Sequence, residues 1–327
     1  MANPADIVDI IQVPALIKDD FIRAGNVILD EKGNPIHYTG GFAVVFPFWV
    51  NKVKWAFRCW YNNVGNIGER LQTLSDELNR INLPYFCQFH YSEKGIALDG
   101  SIKPTTRMLW VDGDNIKDYI CKNSNNPSKL KELADSFMQM CKALHKANIA
   151  HGDLQHGNII VDQQGKIYLI DYDSLYVPAL KGEKDIITGL AAYQHPSRIK
   201  GRNIYAHEKL DYFSELVIYL SIIAISESPI LVNKFNVQDS DNLIFTQEDY
   251  CDIKYSNVYR HLRGLSENVN KLLDILESYL LIDSIEKLMP FETLFSYGQE
   301  SNYCINCGFK FENTDDVFCT RCGVKRI

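Results

Sequence analysis

The sequence contains no apolar stretch long enough to cross a membrane. Its longest apolar run, residues 216–225, is interrupted by Tyr219 and Ser221. Spanning the roughly 30 Å hydrocarbon core of a bilayer takes about 20 apolar residues, so this run is too short and is expected to form a buried helix. The first residues also lack the charged and apolar regions of a secretory signal.

Basic residues are fewer than acidic ones. The chain has 34 Lys and Arg against 41 Asp and Glu, which gives a net charge of −7 and a pI near 5.6. Because binding to a polyanion needs an excess of positive charge, this composition argues against non-specific nucleic-acid binding and against attraction to an anionic membrane. Five of the nine cysteines are scattered singly through hydrophobic segments, which favours a reducing cytoplasm.

The first part of the chain has the pattern of a β-sheet with one helix. Over residues 27–60, apolar alternation between turns predicts three antiparallel strands, with one of the turns at 38–41. Apolar residues recur at helical spacing over 67–83, which predicts an amphipathic helix packed on that sheet. Two more strands are expected at 86–90 and 106–111.

The second part of the chain is predicted to be mainly helical. Asn126 is a candidate N-cap followed by a proline, and the helix that it starts should end near Asn148. A strongly apolar helix is expected from about Asp211, then a polar insertion at 233–256 and further helices to about residue 295. Strands followed by helices predict an α+β fold with two lobes, and 296–301 has the composition of a linker.

Residues 151–171 carry the most specific pattern in the chain. The sequence HGDLQHGN at 151–158 is followed by two apolar, β-branched segments around a turn, which predicts a hairpin with Asn158 and Asp171 at its open end. An amide oxygen and a carboxylate suit Mg²⁺, and Asp153 could orient or deprotonate an attacking hydroxyl. The pattern predicts phosphoryl transfer. The alternative, polar loop residues that cap strands, would not require an acid at both ends of one hairpin.

A weaker signal lies in the predicted sheet. Gly40 and Gly41 at a turn would let backbone N–H groups approach phosphate oxygens, although an ordinary hairpin turn has the same sequence. On the next strand, Lys54, Ala56 and Arg58 share one face, so a small residue that could lie under a base precedes a cation that could hold a phosphate. A solvated edge strand would explain these charges equally well.

The C-terminal segment has the spacing of a zinc ribbon. Cys304 and Cys307 form one Cys-x2-Cys-Gly motif and Cys319 and Cys322 form a second. Four thiolates at this spacing predict a tetrahedral, structural Zn²⁺ site, because no coordination position remains open for chemistry. Two disulfides are the alternative, but they fit poorly with a cytoplasmic chain.

Together these motifs resemble the protein-kinase superfamily over about residues 27–295, with the zinc ribbon appended. The resemblance implies a two-lobed fold with an antiparallel β N-lobe at 1–111, a mainly helical C-lobe at 112–296 and a ribbon at 302–327. It also implies ATP and Mg²⁺ or Mn²⁺ as cofactors. In this reading Asp153 is the catalytic base, and Asn158 and Asp171 hold the metal ions.

The resemblance also assigns the nucleotide-binding residues. Residues 40–45 are similar to a glycine-rich loop, and Arg58 stands where the family has a phosphate-binding lysine, with Glu69 or else Glu77 as its acidic partner. Residues 108–111 resemble the gatekeeper and hinge, whose backbone would hold the adenine edge. The implied cofactor-binding residues are Gly40, Gly41, Val45, Ala56, Arg58, Glu69, Met108, Leu109 and Val111.

Several positions depart from the family pattern. Gly152 replaces the arginine that would receive a phosphorylated activation segment, so we expect no switching by phosphorylation of that segment. Arg58 is not a conservative replacement for lysine, although Lys54 on the same face could compensate. Ala43 replaces the last glycine of the loop, and Asp173 replaces the glycine that follows the metal-binding acid.

We therefore expect an ATP- and Mg²⁺-dependent phosphotransferase, in the first place a Ser/Thr protein kinase whose zinc ribbon recruits a protein substrate or partner. A pseudokinase scaffold that binds nucleotide weakly is the first alternative, favoured by Arg58, Ala43 and Asp173. A small-molecule kinase is the second, because His-Gly-Asp-Leu also occurs in aminoglycoside- and choline-kinase-like enzymes.

Overall fold

The computed structural model describes residues 3–40, 43–61, 67–185, 189–201, 204–297, 317–321 and 323. The chain divides into two compact units, Met1–Asp112 and Gly113–Ile327. The first is built around a β-sheet and the second is mainly helical. The expectation that a strand-rich part precedes a helical part is therefore confirmed for the described residues.

The first unit contains a six-stranded antiparallel sheet. Its strands are β1 (Asn26–Val27), β2 (Tyr38–Thr39), β3 (Ala43–Val50), β4 (Val53–Trp60), β5 (Phe89–Leu98) and β6 (Ser101–Leu109). The strand order is β1-β3-β4-β6-β5, and β2 also pairs with β3. The long strands β3 and β4 form a hairpin whose turn places Asn51 and Lys52 in the left-handed region, with φ of 50° and 64°. Such a turn matches the right-handed twist of the strands that it joins.

An N-terminal segment that the sequence did not reveal as structured covers one face of this sheet. Helix α1 (Pro4–Ile10) starts at a capping box on Asn3, and the short helix α2 (Asp20–Arg23) is capped by the Asp19 side chain. Their apolar side chains join the sheet core, where Phe21 packs edge-on against Trp55 at 4.9 Å between ring centroids. The N-terminal residues buried in this core are Ile7, Ile11, Ile17 and Ile22.

The amphipathic helix α3 (Ile67–Ile81) confirms the prediction at 67–83. Its buried stripe packs on β5, where the Ser75 hydroxyl donates to the Phe89 carbonyl at 3.4 Å. The predicted strands at 86–90 and 106–111 were wrong in extent, because β5 and β6 form one long hairpin joined at Asp99 and Gly100. A bulge between Ser92 and Ile96 interrupts the alternation that would have marked β5 in the sequence.

The prediction that residues 38–41 form only a turn is wrong. Tyr38 and Thr39 form β2, paired opposite Val45 and Val44. Both β2 side chains are exposed, so no buried position marks this strand in the sequence. Backbone pairing with β3, rather than burial of side chains, makes these two residues a strand.

The second unit is organised around two packed helices. Helix α5 (Pro127–Ala147) begins at the predicted Asn126 cap and ends at Asn148, which has φ of 54°. Helix α7 (Tyr212–Glu227) is buried on nearly every side, as expected for the longest apolar run. The remaining elements are β7 (Asp114–Asn115), α4 (Ile116–Lys122), β8 (Ile159–Val161), β9 (Ile167–Leu169), α6 (Pro196–Lys200), α8 (Ile230–Lys234), α9 (Asn257–Leu262), α10 (Glu267–Leu280) and α11 (Phe291–Tyr297).

The polar insertion predicted at 233–256 is instead a packed segment. Several apolar side chains within it are nearly inaccessible, and Tyr250 donates its hydroxyl to the Ala192 carbonyl at 2.6 Å. The apolar residues lie singly or in one short group among polar ones, so composition alone did not indicate burial. They are Val237, Leu243, Ile244, Phe245 and Tyr250.

Across the described residues, no helix has both the length and the apolar character needed to cross a membrane.

Candidate functional site

Two short strands bring Asn158 and Asp171 together. β8 and β9 pair antiparallel, and beyond their ends the N–H of Ile170 donates to the Asn158 carbonyl at 3.0 Å. The turn between the strands is fixed by Asp162, whose Oδ1 accepts two backbone N–H groups at 2.9 Å. The predicted hairpin is confirmed, and Asp171 follows directly after it.

The backbone of Asp171 is unusual. It has φ of 63° and ψ of 79°, in the left-handed region. Residues other than glycine rarely adopt positive φ, and the strain is found most often at functional sites, where surrounding contacts hold it in place. Asp171 is also exposed, although it lies only two residues after the end of β9, a strand with buried residues. This combination supports a functional role for its carboxylate.

Asn158 links the hairpin to Asp153. Its amide nitrogen donates to the Asp153 carbonyl oxygen at 2.8 Å and to the Asp153 carboxylate Oδ2 at 3.1 Å. Because the nitrogen is used in these bonds, the amide oxygen is the atom that remains to bind a metal ion. The second carboxylate oxygen of Asp153, Oδ1, is buried and has no hydrogen-bond partner among the described residues.

The surroundings of Asp153 favour its protonated form. Burial raises the pKa of the Asp153 carboxyl above its ordinary value, and the negative charges of Asp171 and Asp211 act in the same direction. His151 and the hydrogen bond from Asn158 oppose this shift. A raised pKa suits a group that accepts a proton during a reaction.

The donor set of this site fits a hard divalent cation. The negative charge of Asp171 raises the pKa of the Asp153 carboxyl, and a bound cation would relieve that repulsion. Asn158 adds an amide oxygen, and Mg²⁺ and Mn²⁺ prefer oxygen ligands of these kinds. Asn158 and Asp171 are the residues that would hold such an ion.

The loop of residues 151–158, here called the catalytic loop, is tied to α7 and to the hairpin. The buried carboxylate of Asp211, just before α7, accepts the backbone N–H groups of His151 and Gly152, the latter at 2.9 Å. The fully buried His151 ring donates from Nε2 to the Ile170 carbonyl at 2.8 Å. These contacts give His151 a structural role, since its ring joins the loop to the end of the hairpin.

A second buried network lies between three helices of the same unit. His145 on α5 contacts Glu215 on α7 at 2.8 Å and Glu292 on α11 at 2.6 Å. Burial alone would lower the pKa of His145, but the two carboxylates raise it to about 10. The ring is therefore protonated at neutral pH and bridges the two acids.

In the first unit, four candidate nucleotide-binding side chains share one face of the sheet. Val45 lies opposite Arg58, and Ala56 lies opposite Met108. Paired residues of antiparallel strands point to the same side, as do residues two apart on one strand. The structure thus places Val45, Ala56, Arg58 and Met108 together, while Trp55 lies on the opposite face.

The other hinge candidates are arranged differently. Leu109 lies opposite Trp55 and packs against the core under the N-terminal segment, and its N–H donates to the Gln88 carbonyl at 2.9 Å. Val111 is half-buried just after β6. A role of Leu109 toward a nucleotide would therefore have to come from its carbonyl oxygen.

Lys54 contacts an aromatic ring and a carboxylate, and its expected compensation for Arg58 stays a prediction. Its Nζ lies 4.2 Å from the centre of the Trp110 ring and 3.3 Å from the Asp112 carboxylate. Both partners stand at the end of the first unit. Arg58, whose guanidinium lies 5.5 Å from the Trp60 ring centre, lies on the same face, beside Val45 and Ala56.

The acidic candidates on α3 are not on its buried stripe. Glu69 is exposed, and its side chain forms no ion pair with another described residue. Glu77 pairs with Arg80 at 2.7 Å. Neither acid stands out by position as a partner of Arg58.

Gly40 makes two hydrogen bonds at this turn. The N–H of Gly40 donates to the Ala43 carbonyl at 2.9 Å, and its carbonyl accepts the Tyr61 hydroxyl at 2.7 Å. Gly41 lies outside the described residues. The phosphate contact expected of this turn therefore stays a prediction.

Most of the predicted zinc ribbon also lies outside the described residues, namely Cys304, Cys307 and Cys322. Cys319 is buried, and its carbonyl accepts the N–H of Gly323 at 2.7 Å. Gly323 has φ of 74°, the tight turn expected after a Cys-x2-Cys motif. Within the described ranges, no three His, Cys, Asp or Glu side chains form a group that could hold a metal ion.

The sequence did not reveal Arg198 as part of the site. This arginine is 2% exposed and contacts the catalytic loop through the Gly152 carbonyl at 2.7 Å. Arginine is usually exposed, so nothing in the local sequence indicated its burial.

Comparison with known proteins gives consistent matches. A model of the protein kinase domain matches residues 104–283. Two probable serine/threonine-protein kinases of Dictyostelium discoideum are 30% identical over 215 residues and 29% identical over 94 residues, which is 60% and 29% of this chain. A probable serine/threonine-protein kinase of Streptomyces coelicolor is 21% identical over 151 residues, or 43% of this chain.

These relatives are much longer than the matched region. This chain covers 13% and 14% of the two Dictyostelium proteins and 22% of the Streptomyces protein.

Proposed function

Since this chain belongs to the protein kinase family, we propose that it transfers the γ-phosphate of ATP to a hydroxyl of a protein, most simply of a Ser or Thr residue. The observation that carries the proposal is the grouping of Asp153, Asn158 and Asp171 around one hairpin. The names of the relatives, all probable serine/threonine-protein kinases, support the acceptor class.

Each residue of this group has a distinct proposed role. Asp153 takes the proton of the substrate hydroxyl on its Oδ1, which has no hydrogen-bond partner among the described residues. The hydroxyl oxygen then forms a bond to the γ-phosphorus as the bond to the ADP oxygen breaks. Asn158 fixes the Asp153 carboxylate through its amide nitrogen at 3.1 Å, and with Asp171 it would hold Mg²⁺ or Mn²⁺. When bound, the ion neutralises phosphate charge.

The sheet of the first unit is proposed to bind the nucleotide. Val45, Ala56 and Met108 offer an apolar surface beside Arg58, whose guanidinium would pair with phosphate oxygens. Gly40, Gly41, Leu109 and Val111 would contribute backbone groups, and Glu69 is the proposed acidic partner of Arg58.

The C-terminal cysteines are proposed to form a structural zinc ribbon over 302–327, following a β-rich lobe at 1–111 and a helical lobe at 112–296. The turn from Cys319 to Gly323 supports this ribbon. Because four thiolates close the coordination sphere, we assign the ribbon to recruitment of a protein substrate or partner.

Transfer of labelled γ-phosphate from ATP to the chain itself and to generic protein substrates tests the proposal. We expect slow, Mg²⁺-dependent transfer that Asp153→Asn abolishes, whereas Asp135→Asn, on the exposed side of α5, leaves the rate unchanged. Transfer to metabolites but not to proteins would instead identify a small-molecule kinase. Loss of transfer in both variants would contradict the assignment of Asp153.

A second candidate is a nucleotide-binding scaffold, favoured by Arg58 in place of the family's lysine. Thermal stabilisation separates the two functions, because a scaffold would be stabilised by ATP without transferring phosphate. Arg58→Lys provides a further test. If the arginine limits catalysis, this variant should gain activity, whereas a scaffold would gain none.

A further inference from the structure

Arg198 connects three parts of the second unit through one buried guanidinium. Its Nε donates to Asp185 Oδ2 at 2.8 Å, and its Nη2 donates to Asp185 Oδ1 at 3.0 Å. Nη1 donates to the Gln194 side-chain oxygen at 2.6 Å, and Nη2 also reaches the Gly152 carbonyl at 2.7 Å. The side chains of Arg198 and Asp185 are 1% and 5% exposed.

The bond to Gly152 places this ion pair next to the proposed base. Gly152 directly precedes Asp153 and has φ of 78°, so its peptide orientation is specific. Asp211 accepts the Gly152 N–H, while Arg198 donates to the Gly152 carbonyl. Gly152 is therefore held on both sides, which restricts where the Asp153 carboxylate can point.

Gln194 extends the same network toward Asp153. Its Oε1 is taken by Arg198, and its buried Nε2 has no partner among the described residues. A Cβ built on Gly189 would lie 3.0 Å from this Nε2 and 2.2 Å from Asp153 Oδ1. The Gln194 amide and the base thus both lie against Gly189, on the chain between Asp185 and Arg198.

Helix α6, which carries Arg198, is itself fixed. His195 caps the helix by accepting the Ser197 N–H at 3.1 Å, and its Nε2 contacts the Tyr279 carbonyl on α10 at 2.9 Å. The helix that carries Arg198 is therefore fixed in position. The two hydrogen bonds from Arg198 to the Asp185 carboxylate hold Asp185 in place as well.

In many kinases a phosphate on the activation segment supplies the charge that orders this region through an arginine. Gly152 leaves this chain without an arginine beside the base. We propose that the buried Arg198–Asp185 pair does this work permanently, so that Arg198 is a positioning residue and activity needs no phosphorylation of residues 171–198. The carboxylate of Asp185 takes the place of the phosphate. This inference rests on the proposed phosphotransfer.

The test compares the chain of residues 1–327 with three variants after phosphatase treatment, with mass spectrometry to confirm that residues 171–198 carry no phosphate. We expect the wild type to keep its rate. Asp185→Asn and Arg198→Lys should each lower kcat at least about tenfold, because small displacements of a catalytic group are costly, with KM for ATP changing less than about twofold. Lys200→Met, exposed on the same helix, should change neither value.

Hydrogen exchange provides a readout that does not depend on activity. Both buried-pair variants should speed amide exchange in peptides covering 150–154 and 189–198, and Asp185→Glu should restore part of the protection. Loss of wild-type transfer on phosphatase treatment, or unchanged exchange in both variants, would overturn the inference. If the wild type transfers no phosphate under any condition, the proposed function fails, and the exchange data still decide whether the pair orders the catalytic loop.

Discussion

The carboxylate of Asp211 accepts the backbone N–H of Gly152 at 2.9 Å, one residue before Asp153. Asp211 is buried, which raises the pKa of its carboxyl, and it also accepts the N–H of His151. Asp211→Ala would leave two buried N–H groups without a partner. We expect the free energy of unfolding to fall by about 2–4 kcal/mol, measured by urea denaturation.

Asp211→Asn keeps one acceptor oxygen but turns an amide nitrogen toward the second N–H. Its free energy of unfolding should therefore lie between those of wild type and Asp211→Ala. The exposed Asp135→Ala on α5 is the control and should change stability by less than about 0.5 kcal/mol. Equal stability of Asp211→Ala and Asp135→Ala would show that the loop does not depend on this anchor.

His145 predicts a stability change at alkaline pH. Although burial opposes it, the contacts with Glu215 and Glu292 raise the pKa of His145 to about 10. The folded state therefore binds the proton more tightly than the unfolded chain, whose histidine pKa is about 6.5. This contribution is complete below about pH 6.5 and is lost as the pH rises through about 10.

The measurement is the difference in unfolding free energy between wild type and His145→Gln at several pH values. At neutral pH the variant should be less stable by about 3–5 kcal/mol, because two buried carboxylates lose their cation. The difference should shrink between pH 7 and pH 10. Parallel stability curves for the two proteins would contradict the assigned protonation.

Gly189 predicts a steric effect on the base. It has φ of 75°, and a Cβ there would lie 2.2 Å from Asp153 Oδ1. Gly189→Ala should therefore displace the Asp153 carboxylate and reduce phosphate transfer by about tenfold or more. Steady-state kinetics with ATP and a protein acceptor would measure the loss.

Gly182→Ala is the matched control. Gly182 has φ of 93°, and a Cβ on it would meet no atom within 4 Å. Both variants carry the left-handed strain of about 1–2 kcal/mol, but only Gly189→Ala adds the contact with the base. If both variants lose the same activity, backbone strain and not the contact is responsible.

The two C-terminal cysteine motifs predict one zinc ion per chain. Metal analysis of the purified protein should find one equivalent, and Cys304→Ser should lower it, because a site with three thiolates binds zinc more weakly. Chelation should release the metal without altering the thermal unfolding of the two lobes at 1–111 and 112–296. A zinc-free protein with paired cysteines would favour the disulfide alternative.

The sequence predicted the helices and the hairpin well where local signals were strong. Asn126 with a following proline marked the start of α5, and turn residues marked the hairpin that joins Asn158 to Asp171. The hairpin register was enough to bring these two residues together, because only a few residues separate the strands.

Burial that depends on contacts between distant parts of the chain could not be predicted from the sequence. The buried isoleucines of the N-terminal segment lie in or next to short helices with too few turns to show a period, and a bulge interrupts β5. Arg198 is buried because Asp185, Gln194 and Gly152 surround it, and this follows from the tertiary fold rather than from neighbouring residues. The sequence predicts that Lys54 could compensate for Arg58, but it does not predict the contacts of Lys54 with Trp110 and Asp112.

The N-terminal segment has a practical consequence for how the protein can be shortened. The match to the protein kinase domain begins at residue 104. A shortened chain that kept every strand of the sheet would begin near β1. Such a chain would lose Ile7 and Ile22 from the buried cluster that also contains Trp55 and Phe57, and would lose the Phe21 ring that packs on Trp55. Exposed apolar sheet surface promotes association between molecules. Fragments beginning near residue 25 should therefore aggregate on expression, whereas the full chain should stay monodisperse in gel filtration.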